Sequence, residues 1–84
     1  MMSVYVGPLK NNHLNKRLPR SAHLMAESDD ELEQFARIIG LRKDWKHNDH
    51  YDISPNKRLL AIQHGAMERS DLFLCGLRFP RKIK

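Results

Sequence analysis

His47-Asn48-Asp49-His50-Tyr51-Asp52-Ile53-Ser54-Pro55-Asn56-Lys57-Arg58 brings two imidazoles, two carboxylates, a phenol and two cations into one short stretch. Its second half reads as a helix start. Ser54 is a good N-cap, because its hydroxyl accepts from an otherwise unpaired helix N–H. Pro55 then falls at the first helical position, where a missing N–H costs nothing. A helix is expected over 55–64, with Gly65 as its left-handed stop. Its first turn carries Lys57 and Arg58, although the positive end of a helix dipole favours acids. An anion or a carboxylate must offset them, unless both side chains bend into water. Free N–H groups, a dipole and two cations aimed one way would form an anion site.

The first half reads as a short strand at 51–53, beginning at His50. Alternation puts His50 and Asp52 on one face and Tyr51 and Ile53 on the other, with Ile53 toward the core. An uninterrupted strand would set His47 opposite His50, which argues against a His47-x-x-His50-x-Asp52 metal set. His50 and Asp52 are then expected beside the helix mouth. In the plainer reading, Asp52 pairs with a nearby cation and His50 is a rim residue.

Working outward, Ser28-Asp29-Asp30-Glu31 is a capping box, and Leu32, Phe35, Ala36 and Ile39 recur on one helical face. This predicts a helix over 29–40 stopped by Gly40, with Leu41 folding back as its contact. Val4-Tyr5-Val6 and residues 21–26 read as strands, the latter pairing His23 with Met25 on one face. A lone His in a strand is usually structural, so His23 gains meaning only if it meets His50. Residues 9–20 hold three Asn, one Pro and four basic residues, a long loop for so small a domain. It is either a clamp for an anionic partner or a solvated flap. Trp45, between Lys43 and Lys46 in the polar connector, is expected to cover the end of the core, with base stacking as the other use. Residues 72–79 are β-like but broken by Gly76.

The fold class is therefore α/β, a small single domain of order β-β-α-β-α with a possible C-terminal strand. It spans 1–84, with its core at 3–68 and a basic tail at 78–84. The strand–helix–strand connection from 22 to 53 is expected to be right-handed with parallel strands, which places Asp52 at the sheet's carboxyl edge.

Composition narrows the function. The net charge is +5 and unevenly spread: residues 27–40 carry −4 while every other segment is basic. One face toward a polyanion, a nucleic acid or a nucleotide, suits that pattern. The single cysteine, Cys75, excludes an internal disulfide and a cysteine zinc cluster, and suits a reducing, cytoplasmic setting. No apolar run approaches the roughly 20 residues of a membrane span, and no signal peptide is visible. No nucleotide P-loop, nucleophile motif or cofactor signature is present, so neither a cofactor nor a metal is expected.

The motifs together resemble a small bacterial and phage family catalogued as domain of unknown function four thousand and thirty-one. The resemblance rests on Val4-Tyr5-Val6, Ala22-His23-Leu24, Glu31-Leu32 with Phe35-Ala36, and Ile39-Gly40-Leu41. It continues through Trp45, the His50-Tyr51-Asp52 motif with Ile53-Ser54, Lys57-Arg58, and Ala61 with Gly65-Ala66. It covers residues 3–68. The chain departs from it at Ser21-Ala22, where many members carry Trp and Cys, and at Lys46, where Phe is common. The resemblance implies no activity.

Three functions follow from the residues. The first is binding of a phosphate-containing anion, nucleic acid or nucleotide, at the helix N-terminus through His23, His50, Asp52, Lys57 and Arg58. The second is a phage or host-modifying module that docks on a protein partner. The third is a phosphodiester hydrolase using His23 and His50 as an acid–base pair, or as metal ligands with Asp52. Whether the chain is an enzyme stays open at this level, as does its oligomeric state. With one cysteine and no finger spacing of histidines, folding should need no metal. The chain should stay folded in EDTA; loss of the fold on chelation, restored by zinc, would contradict this.

Overall fold

The computed structural model describes residues 3–11, 19–47, 49–70 and 72–74. Both helices form where their caps predict. In α1 (Asp29–Ile38) the Ser28 side chain accepts from the Glu31 N–H, and in α2 (Pro55–Gln63) Ser54 accepts from the Lys57 N–H. Both end alike. Gly40, at φ +77°, donates to Arg37 O while Leu41 N donates to Ala36 O; Gly65, at φ +103°, donates to Ile62 O while Ala66 N donates to Ala61 O. The positive φ favours glycine at each stop.

The strands are β1 (Val4–Val6), β2 (Lys10–Asn11), β3 (Arg20–Ala26), β4 (Lys46–His47), β5 (His50–Ile53) and β6 (Met67–Glu68). They form a sheet of order β4-β5-β3-β1-β6, with β2 paired to the start of β3. A 3₁₀ turn, Lys43–Trp45, leads into β4. The α/β reading with two helices holds, and β2, β4 and β6 are short additions to it.

The parallel expectation for the strands flanking α1 is corrected. β3 and β5 are antiparallel, not parallel. The crossover through α1 does deliver the chain to a strand running with β3, but that strand is β4, since β4 and β5 are themselves antiparallel. The chain then reverses, and β5 inserts between them. Among the described residues the last strand is β6, parallel to β1, and residues 72–74 are helical rather than extended; residues 75–79 lie outside the described residues. The tail at 78–84, Cys75 and the loop residues His13, Lys16 and Arg17 lie outside the described residues.

Strand alternation sorts the sheet into two faces. Val4, Val6, Ala22, Leu24, Ala26, Tyr51 and Ile53 face Leu32, Phe35, Ala36 and Ile39 of the α1 segment and Ala61 of α2. The opposite face begins with Tyr5, Met25 and Leu74, a small second cluster with Phe73 edge-on to Tyr5 at 4.9 Å. Trp45 is 44% exposed, with the Arg42 guanidinium 6.0 Å from its ring, so it does not close the core as expected.

Polar clips fix the helical layer at the sheet edges. Glu33 of α1 accepts from Lys46 Nζ at 2.8 Å and from the Tyr51 hydroxyl at 3.2 Å, which ties edge strand β4 and its neighbour to the helix. Glu31 accepts from Ser3 N at 2.7 Å. The Lys46 hydrogen bond is the main reason the Glu33 carboxyl is held below the ordinary range, against an opposing desolvation. A carboxyl whose folded pKa is depressed contributes its stability above the unfolded pKa and loses it as pH falls through the folded one.

Two outcomes follow. Phe35, 2% exposed, should cost about 3–5 kcal/mol on truncation to Ala, read from the urea midpoint. Stability should decline on acidification below about pH 4, and Glu33→Gln should flatten that decline; an unchanged acid profile would remove the clip from the account.

Candidate functional site: a histidine face around Asp52

Register builds the site. In an antiparallel ladder, directly paired residues point to the same side of the sheet. His23 of β3 is paired with Asp52 of β5, and His47 of β4 with His50 of β5. Asp52 and His50 already share a face by alternation. Three imidazoles and one carboxylate therefore gather on the face opposite both helices.

The distances are short. His23 Nε2 is 3.4 Å and His50 Nε2 3.6 Å from Asp52 Oδ1, and His47 Nε2 is 3.7 Å from Asp52 Oδ2. The His23 and His50 rings lie 4.7 Å apart at an interplanar angle of 49°. On its other side, His50 Nδ1 is 3.2 Å from Asp49 Oδ1. Exposure grades across the cluster: the His50 side chain is 12% exposed, Asp52 26%, His23 37% and His47 66%.

Asp52 Oδ1 is the anomaly. It is buried and makes no hydrogen bond. Contacts of 3.4–3.6 Å to the flanking nitrogens are ion-pair separations, too long for good hydrogen bonds. A buried carboxylate oxygen left unpaired costs about 1–3 kcal/mol or more. Positive charge beside it, as imidazolium or as a cation among the nitrogens, offsets that cost. His23, His50 and Asp52 each offer one ligand atom, all within 4.8 Å of one another.

The sequence-predicted residues divide between two places. His23, His50 and Asp52 converge. Lys57 and Arg58 do not join them; both are engaged on the helical side. Lys57 Nζ donates to the Ile39 carbonyl at 2.6 Å, and Arg58 donates to Gly7 O and to Glu68 Oε1, each at 2.9 Å. The Ile39 carbonyl closes the C-terminus of α1, where the dipole is negative and cations are favoured. The ammonium thus lies between the ends of two helices, and this explains a cation in the first turn of α2. His47 was placed on the wrong face by the extended-strand argument, because the chain reverses between His47 and His50 and makes them cross-strand partners. The signal for that was local: Asn48-Asp49 is turn-favouring. Asp49, which orients His50, was also passed over.

Lys57→Ala should therefore destabilise the fold by about 1.5–3 kcal/mol, the range for a hydrogen bond to a charged group, in chemical denaturation. Wild-type stability in that variant would mean its ammonium is free for a ligand.

The chain matches a family model described as a protein of unknown function (DUF4031) over residues 4–75. No curated protein and no solved structure matches it.

Proposed function

The chain belongs to this DUF4031 family of unknown function, and from its histidine face we propose that it is a small phosphodiester hydrolase acting on nucleic acid or nucleotides. The observation carrying this reading is the convergence of three imidazoles on Asp52. Imidazole is the side chain whose ordinary pKa lets it take and give protons near neutral pH. Grouped around a carboxylate, imidazoles can deprotonate a water. The water oxygen bonds to phosphorus as the bond to the leaving sugar oxygen breaks, and a second imidazole returns a proton to that oxygen.

The phosphate part of the proposal rests on charge. The chain carries +5, which draws a polyanion in. Lys10 shares the histidine face through its pairing with Ser21, two residues before His23 on β3. Arg69 stands at the other end of the same face, 5.8 Å from the Tyr5 ring. This keeps the partner inferred from the sequence but moves its contact from the helix start to the opposite side of the sheet. Phosphate binding through Lys57 and Arg58 is the weaker proposal, because both already have partners within the chain. A protein-docking role would use the helical layer, where Ile38 is 52% and Leu59 60% exposed.

Single-stranded RNA, single- and double-stranded DNA and bis(p-nitrophenyl) phosphate should be offered at two salt concentrations, with and without added zinc. At least one should be cleaved. Asp52→Asn and His50→Gln should lose about 100-fold or more while keeping the wild-type circular dichroism spectrum. Binding without cleavage that is lost in Lys57→Ala/Arg58→Ala would return the site to the helix start. Neither binding nor cleavage would favour docking on a protein.

A further inference from the structure

We propose that His23, His50 and Asp52 form a mononuclear site for a borderline divalent ion of the zinc type, with at least one coordination position left open. The inference rests on the same histidine face but makes His23 and His50 ligands in place of the acid–base pair, and it does not need the phosphate ligand, since the ion should bind on its own.

Donor spacing is the first support. Nitrogen and oxygen ligands bound at about 2.0–2.2 Å in a tetrahedron stand roughly 3.3 Å from one another. His23 Nε2 and His50 Nε2 stand 3.4 and 3.6 Å from Asp52 Oδ1, and all three donors fall within 4.8 Å of one another. Small side-chain rotations complete the triangle.

Asp52 Oδ1 is the second support. It is a buried oxygen with no hydrogen bond, within 3.6 Å of two ring nitrogens. A dication beside it would offset the charge of that oxygen. The third support is the neighbour of His50. Metal-bound imidazoles characteristically place the other ring N–H on a carboxylate, which fixes the tautomer and strengthens the donor. Asp49 Oδ1, 3.2 Å from His50 Nδ1, stands in that position.

The donor set names the class of ion. Two imidazoles and one carboxylate suit Zn²⁺, Co²⁺, Ni²⁺ or Fe²⁺, whereas Mg²⁺ and Ca²⁺ take oxygen ligands. Three protein donors leave room for water or substrate, the arrangement of catalytic rather than structural centres. His47 is the most exposed member and addresses the other carboxylate oxygen, Oδ2. It is placed to hold that oxygen or to carry a proton at the rim, outside the triad.

Cobalt titration of the whole chain tests this without any substrate. One equivalent of Co²⁺ should produce visible ligand-field absorption, and Zn²⁺ should displace it while Mg²⁺ does not. Asp52→Asn and His23→Gln should each weaken binding at least 10-fold, and Asp49→Asn by about 10–100-fold. Each variant is checked by circular dichroism; His23, more than a third exposed, keeps the test available if the Asp52 variant fails to fold. No ligand-field absorption at millimolar Co²⁺, or binding unchanged in a folded His23→Gln, overturns the proposal. The phosphodiester reading then stands or falls separately on the cleavage assay run without metal.

Discussion

The antiparallel register of β3 against β5 is the constraint on which both faces depend. Ala22 meets Ile53, His23 meets Asp52 and Leu24 meets Tyr51. The three pairs alternate between the helical core and the histidine face. A slip of one residue would carry a whole strand's apolar set to the wrong side and its polar set into the core. Hydrophobic burial of Ala22, Leu24, Tyr51 and Ile53, each at about 1% exposure or less, thereby holds His23 against Asp52. The same packing that stabilises the domain brings the imidazole and the carboxylate together.

A two-layer domain of this size has one sheet face to give to its core. The helices take it, and their termini are joined by the ammonium of Lys57, which lies between the C-terminus of α1 and the first turn of α2. Gly40 belongs to the same junction: a Cβ there would lie 3.1 Å from that Nζ. The left-handed backbone favours glycine there, and a side chain would also press on the ammonium. Among the described residues the other sheet face carries the histidines and Asp52. Tyr5, Met25 and Leu74 cluster on the same face.

The helices, their caps and most of the core were legible because those signals are local. Ser28 and Ser54, Gly40 and Gly65, and the apolar spacing of Leu32, Phe35 and Ile39 lie within a few residues of what they determine. The direction of β5 was not legible, because Lys46-His47 is too short and polar to announce a strand, and without β4 the crossover from α1 leads to β5 in the wrong sense. The site was half legible for the same reason. Alternation correctly grouped His50 with Asp52, but it excluded His47 by carrying one strand through what is a turn. Lys57 and Arg58 could be placed on a helix start from sequence alone. Their partners are carbonyls of Ile39 and Gly7, 18 and 51 residues away, and no local pattern reports them.

The edges of the sheet also shape how copies of the chain can meet. Both outer strands of the ordered path, β4 and β6, are two residues long. A strand that short offers few free backbone groups to template another chain, and lysine at an edge is a further deterrent to pairing. Lys46 supplies that lysine in β4, with its ammonium drawn back onto Glu33 rather than presented outward. Neither of these two edges is thereby a good template for strand addition.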